Sequence, residues 1–253
     1  MSRCVITGGA PINNYEAVRQ YLKPDDFNIF CDCGLKHAEK LGVRADLIVG
    51  DFDSWTPDEG LEIGIGLLNR ELNFRNVNEE IINGSQLLER NEINTDFHDY
   101  SSLSSRPQVL VIPHEKFDTD TVYGVREGLD RGYDEFLILG AIGRRFCHSL
   151  GNLYILVMLD SLGKKGMIVD DFSDMEIISE RPGLIPDTYA GFSLLNITGI
   201  SRGIKIEGAR YDYLPDGEIT CDYQYALSNE VLPGKTARVT VEEGKVLLIR
   251  DRK

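Results

Sequence analysis

Short apolar runs alternate with helical periodicity over the first two-thirds of the chain. Cys4–Thr7, Asn28–Cys31, Leu47–Val49, Val109–Ile112, Phe136–Leu139 and Met167–Val169 read as strands buried on both faces, each too short to be a helix. Helical spacing fills the gaps near Tyr15–Leu22, Lys36–Leu41, Thr121–Arg131 and Ser149–Leu162. Strand–helix alternation specifies an open, mostly parallel sheet with helices on both faces. That is an α/β domain.

Past about Met175 the helical period stops. Short alternating runs follow at Phe192–Ile197, Ile204–Glu207, Arg210–Tyr213, Glu218–Tyr225, Ala237–Val241 and Val246–Ile249. Turn signals such as Pro215-Asp216-Gly217 and Pro233-Gly234 separate them, the pattern of a small antiparallel β-sandwich. Two domains are expected, 1–172 and 173–253. Residues 60–106 fit neither; rich in Asn, Glu and Ser, they read as an insertion with a weakly helical piece around Glu79–Arg90.

Charge narrows the function classes. The 253 residues carry 41 acidic against 27 basic side chains, a net −14. Such a chain is no general binder of nucleic acid or anionic membrane, whose grip depends on Lys and Arg. No apolar run approaches the ~20 residues that cross a bilayer. The start, Met-Ser-Arg-Cys-Val-Ile, enters a strand directly without a secretory pattern, and five cysteines are an odd number. Reduced thiols in a cytoplasmic protein are expected. Cys31, Cys33 and His37 lack the spacing of a zinc site, so packing thiols are the reading here.

The polar clusters all follow strands. Asp32 follows one, Asp51 and Asp53 the next, then Lys116, Asp118, Thr119 and Asp120, then Gly143, Arg144 and Arg145 with His148 and Asn152. In open parallel sheets the carboxyl ends of strands share one edge, and ligands bind in the crevice there. Singly, each acid reads equally well as a helix cap or a solvated loop residue; their coincidence on one edge points to a cleft. Carboxylates and cations together suit a metal–phosphate ligand, with Mg²⁺ on oxygen donors and Lys or Arg on phosphate. Gly234-Lys235-Thr236 resembles the end of a phosphate loop, but position 229 is Asn rather than the required Gly, and a hairpin turn is expected.

At this point the sequence resembles the thiamine pyrophosphokinase (thiamine diphosphokinase) family over nearly its whole length. Asp32-Cys33-Gly34 matches a D-x-G turn, and Ala45–Ser54 matches P-D-x-x-x-G-D-x-D-S with Ala for Pro. Glu115–Asp120 stands against E-K-D-x-T-D, and Gly140–His148 with Asn152 against G-A-x-G-G-R-x-D-H-x-x-x-N. Gly208–Tyr211 and Leu227–Glu230 resemble G-x-K-Y and I-S-N-E. Three positions depart from the pattern: Phe117 and Cys147 replace acids, and Arg144 replaces a glycine.

The resemblance implies transfer of the pyrophosphoryl group of ATP to the thiamine hydroxyl, giving thiamine diphosphate and AMP. It implies catalytic and Mg²⁺-holding roles for Asp51, Asp53 and Asp120, and ATP or phosphate contacts from Asp32, Lys116, Thr119, Arg145, His148 and Asn152. Thiamine would meet Asp120, and Ser228 and Asn229 of the partner chain in a homodimer whose site is shared. Tyr223 or Tyr225 would stack on its rings. The 1–172 domain would bind ATP and catalyse, and the 173–253 domain would bind thiamine. Two other readings stay open, a related pyrophosphotransferase acting on another alcohol and a non-catalytic thiamine- or nucleotide-binding protein.

Overall fold

The computed structural model describes residues 3–52, 73–76, 81–83 and 107–253. Contacts divide the chain into two compact units, Met1–Asn152 and Leu153–Lys253, the division falling inside a helix.

In the first unit the strands are β1 (Cys4–Thr7), β2 (Phe27–Cys31), β3 (Leu47–Gly50), β4 (Asn73–Asn76), β5 (Ile81–Asn83), β6 (Gln108–Val111) and β7 (Glu135–Leu139). They stand in the order β7-β1-β2-β3-β6-β4-β5. Every pairing is parallel except β4 with β5. Successive residues of a strand point to opposite faces. Since all of Cys4–Thr7 and all of Leu47–Gly50 are buried, both faces of the sheet are covered. This is the expected α/β sheet.

The helices are α1 (Tyr15–Arg19), α2 (Ala38–Leu41), α3 (Asp120–Asp130) and α4 (Phe146–Ser161), with a 3₁₀ turn at Asp32–His37. Helix α3 lies tight on the sheet because Gly124 and Gly128 make its inner face flat. A Cβ at Gly124 would sit 2.8 Å from Cys31 Sγ, and one at Gly128 2.6 Å from the Phe136 ring. The expected helix near Lys36–Leu41 is half 3₁₀ turn, and it stops where Gly42 takes a left-handed φ of 72°. Within the expected helical piece Glu79–Arg90, Ile81–Asn83 form β5 instead, the β-branched Ile81 and Ile82 favouring a strand. The rest of that piece lies outside the described residues.

The second unit is antiparallel: β8 (Lys165–Val169), β9 (Ser173–Ile178), β10 (Gly183–Pro186), β11 (Tyr189–Leu195), β12 (Ile200–Ser201), β13 (Lys205–Glu207), β14 (Ile219–Thr220), β15 (Thr236–Thr240) and β16 (Val246–Arg252). Strands β11-β16-β9-β8 form one sheet and β10-β15-β13 another, with β12-β14 as a small pair. Ile178, Phe192, Leu194 and Leu248 from the first sheet share a core with Ile185, Ile206, Ala237 and Val239 from the second. Two sheets around one core make the expected β-sandwich. Buried Arg250 ties it together, donating to Asp174 Oδ1 at 2.6 Å and to Leu184 O at 2.9 Å, with Glu176 as a further partner.

Of two expected strands, Arg210–Tyr213 is absent and Glu218–Tyr225 is cut to Ile219–Thr220. Backbone at Tyr211 pairs with a side chain: its N–H donates to Asn229 Oδ1 at 3.1 Å and its C=O accepts from Nδ2 at 2.7 Å. Likewise Gln224 replaces a strand partner for Asn196, whose N–H and C=O meet the Gln224 amide at 3.2 Å each. Side-chain amides thus do at Arg210–Tyr213, and over most of Glu218–Tyr225, what a neighbouring strand does elsewhere. Gly234-Lys235-Thr236 is the expected turn: Lys235 N donates to Leu232 O at 2.9 Å, and β15 begins at Thr236.

Candidate active site

Strand β1 has β2 on one side and β7 on the other, so the loops after β1 and β7 part in opposite directions and leave a crevice. A cavity of about 550 Å³ occupies it. Loops after β1, β2, β3, β6 and β7 all reach it, through Gly9–Pro11, Asp32, Asp51, Lys116–Asp120 and Gly140–Arg145. Gly140 lines it and packs on Gly8. A Cβ on Gly140 would come within 2.3 Å of Gly8 O, so only hydrogen allows the two backbones to meet.

One side of the cavity is acidic. Asp32 begins its 3₁₀ turn with a left-handed φ of 47°, a strained conformation for a non-glycine residue. Asp51 directly follows β3, and buried Phe52 beside it is also left-handed, φ 59°. Asp120 opens α3, set there by Thr119, whose hydroxyl accepts from Val122 N. Carboxylate oxygens of Asp32, Asp51 and Asp120 all lie within 4.8 Å of one another.

Lys116 sits between two of them, bonded to Asp51 and 3.0 Å from Asp120 Oδ1. Burial would lower its pKa, but the Asp51 and Asp120 carboxylates outweigh that and raise it. Burial is also the chief reason the Asp120 carboxyl is raised, with Lys116 opposing and the charges of Asp51 and Asp32 adding. Asp120 Oδ1 is buried and, although close to Lys116, has no aligned hydrogen bond. Three hard oxygen donors, one of them short of a partner, fit a divalent cation such as Mg²⁺. Asp53 lies outside the described residues.

The other side is basic. Arg144 and Arg145 are exposed into the cavity, followed at once by α4 with His148 in its first turn. Burial and the Arg145 charge hold the His148 pKa below its ordinary value, favouring the neutral ring. The turn that carries the arginines is clamped at its base. Buried Asn152 donates to Ala141 O at 2.8 Å, and Ser149 Oγ accepts from Gly143 N at 2.9 Å. Asn152 therefore lines the cavity while spending its amide on the loop.

In the second unit Asn229 is buried, its amide engaged with Tyr211 and with Glu230 N at 2.9 Å. Its geometry makes it a support for exposed Ser228, which takes a left-handed φ of 58°. Tyr223 and Tyr225 form an exposed aromatic pair with centroids 4.0 Å apart. Burial, Tyr223 and the charges of Asp216, Asp222 and Glu218 raise the Tyr225 pKa, which marks an acidic surrounding.

No protein-family model and no curated protein matches this chain. Solved structures do. A thiamine pyrophosphokinase from Bacillus subtilis superposes with a TM-score of 0.71 at 17% identity, covering 100% of both chains. One from Geobacillus thermodenitrificans gives 0.68 at 18%, over 100% of this chain and 98% of that one. The yeast enzyme gives 0.63 at 12%, over 99% of this chain and 86% of its own. The chain has the thiamine pyrophosphokinase fold.

Several cavity residues of this thiamine pyrophosphokinase fold went unread in the sequence. His114 lines the cavity with Nδ1 3.4 Å from Asp51 Oδ2. Its place just before Glu115-Lys116 was the available signal. Ala10 and Pro11 follow Gly8-Gly9 on the loop after β1. Of the two thiols expected to pack, Cys31 does, while half-buried Cys33 lines the cavity. Cys31 lies under α3 with its pKa driven far up by burial, first, and by Asp120. His37 is engaged on both ring nitrogens, 2.6 Å from Tyr15 Oη and 2.9 Å from Ala10 O.

Proposed function

We propose that the protein transfers the pyrophosphoryl group of ATP to the hydroxyl of thiamine, yielding thiamine diphosphate and AMP. The supporting observation is the two-sided cavity: three carboxylates and Lys116 face a pair of arginines across a space of about 550 Å³ at the strand ends. A metal-bound triphosphate has the complementary polarity, its cation toward the carboxylates and its free oxygens toward the arginines. Asp32, Asp51 and Asp120 are the groups to hold Mg²⁺, with Asp53 beside them in sequence, and bound Mg²⁺ would offset charge on the phosphoryl oxygens.

The remaining work belongs to the chain's own residues. Lys116 neutralises one phosphoryl oxygen from the acidic side, and Arg145 grips phosphate from the other with its planar fork. Thr119 and Asn152 hold the loops that present Asp120 and Arg145, and neutral His148 offers a hydrogen bond without added charge. Asp120, at the head of α3, is the group to receive the thiamine hydroxyl proton as that oxygen attacks the β-phosphorus and AMP leaves. Positioning and charge neutralisation account for most of phosphoryl transfer. In the second unit, the paired tyrosines in acidic surroundings suit an aromatic organic cation, and Ser228 stands exposed near them in sequence. Thiamine would take these contacts from the partner chain of a homodimer.

Incubation with Mg-ATP and thiamine tests this reading. AMP and thiamine diphosphate should form in equal amounts. ADP with thiamine monophosphate would overturn the proposal. AMP formed only with a different alcohol would move the acceptor, and binding without AMP would make this a non-catalytic protein.

A further inference from the structure

Arg144 and Arg145 differ from several other arginines among the described residues. Arg126, Arg131, Arg202, Arg210, Arg238 and Arg250 each meet a carboxylate. Among the described residues, Arg144 and Arg145 have no ion-pair or hydrogen-bond partner for their guanidinium groups. In a chain of 41 acidic and 27 basic side chains, two adjacent cations without a carboxylate, both lining one cavity, are available to an anion from outside.

Their mounting is rigid. Ser149 and Asn152 clamp the turn, and a Cβ on Gly143 would come within 2.9 Å of Ala10 Cβ, so the turn is pressed against the β1 loop. Helix α4 starts directly after Arg145, and its positive end adds to the same field. Adjacent residues are ~3.8 Å apart at Cα, so their side chains would reach neighbouring phosphoryl groups of one chain rather than two separate ligands. Across the cavity stand Lys116 and the carboxylates, which would take the other end.

We propose that Arg144 and Arg145 form a paired guanidinium site for successive phosphoryl groups, in which Arg144 makes the protein select a three-phosphoryl chain over a two-phosphoryl one. This rests on the triphosphate reading of the cavity. It goes further, in giving Arg144 the task of counting phosphoryl groups.

Calorimetric titration with inorganic tripolyphosphate and with pyrophosphate, at fixed Mg²⁺, tests it without turnover. Wild-type protein should prefer tripolyphosphate by about ten- to a hundredfold, the range of a charge-assisted contact. Arg144→Gln should bring the two affinities within about threefold by weakening tripolyphosphate alone, while Arg144→Lys, charged but without the fork, falls between. Arg144 is exposed, so the fold should be unaffected, and matching melting curves would verify that. Equal weakening of both anions, or no weakening of either, would overturn the proposal. Selective tripolyphosphate binding in a protein that makes no AMP would instead reject the pyrophosphotransfer reading and leave this one standing.

Discussion

Gly50 lies flat against Asp32: a Cβ added to Gly50 would stand 3.2 Å from Asp32 Cα. The end of β3 thus sets the position of the carboxylate that follows β2. Gly50→Ala should push Asp32 off its left-handed conformation by a few tenths of an ångström. We expect a stability loss of about 1–2 kcal/mol and a drop in kcat/KM of at least about tenfold, because a site is more sensitive to such shifts than the fold is. Denaturant melts and steady-state kinetics read the two effects. Equal activity in the variant would show that Asp32 has no positional role.

Asp120 couples activity to stability in opposite directions. Burial, first, with Asp51 and Asp32, raises its carboxyl against the pull of Lys116. A carboxyl raised in the fold binds its proton more readily folded than unfolded. Its contribution is therefore most favourable at low pH and is lost as pH rises from the ordinary carboxylate value through the folded value. Asp120→Asn should then melt higher than wild type in Mg²⁺-free buffer, by a margin that grows as pH rises above the ordinary carboxylate range. The same variant should lose about 10²–10⁴ in kcat/KM. A margin independent of pH would show that the carboxyl is not disfavoured in the fold.

The thiols divide by burial. Cys147 and Cys221 are exposed, whereas Cys4 is buried with its pKa pushed up to about 12 and Cys31 lies deeper still. A thiol reagent at neutral pH should modify Cys147 and Cys221 in the native protein, and Cys4 and Cys31 only on unfolding. Mass mapping of the adducts decides it; early modification of Cys31 would contradict its placement under α3.

Asn229→Ala removes the partner of Tyr211 N, Tyr211 O and Glu230 N together. Orphaning these backbone groups should cost about 2–4 kcal/mol, with KM for thiamine rising through displaced Ser228. Asn229→Asp keeps the acceptor and should cost less. If Asn229→Ala melts like wild type but loses thiamine binding, the amide touches the ligand itself.

The shared site of the proposed homodimer has its own test. Asp120→Asn subunits mixed with Tyr223→Ala/Tyr225→Ala subunits should, after exchange, regain roughly a quarter of wild-type activity, since half the dimers are mixed and each holds one intact site. Both parents must first be inactive. No recovery after confirmed exchange would place both lesions in one chain's site.

The cavity was legible because a parallel sheet converts order along the chain into position along an edge. Asp32, Asp51, Lys116, Asp120 and Arg145 each follow an apolar run, and each run became a strand pointing the same way. Less legible was anything a side chain does for distant backbone. Asn229 and Gln224 stand in for strand partners, and no periodicity records an amide that completes someone else's ladder. Gly124 and Gly128 look like defects in a helix until Cys31 and Phe136 are found against them. His114 escaped because one imidazole before a lysine motif has no pattern of its own.

The arrangement of the first unit makes its chemistry modular. Each of five loops hangs from a separate strand, and the registers Cys4↔Phe27, Cys4↔Phe136 and Ile29↔Leu47 depend on none of them. Phe117 and Arg144 sit on such loops and Cys147 in the first turn of α4, all three exposed. A change on one loop is thus felt by its neighbours, since Gly143 presses on Ala10 and Lys116 bonds Asp51, but not by the strand registers. Exchanging Glu115–Asp118 alone, or Gly143–Cys147 alone, would retune one wall of the cavity without refolding the protein, which makes this edge a natural place to graft new acceptor specificity.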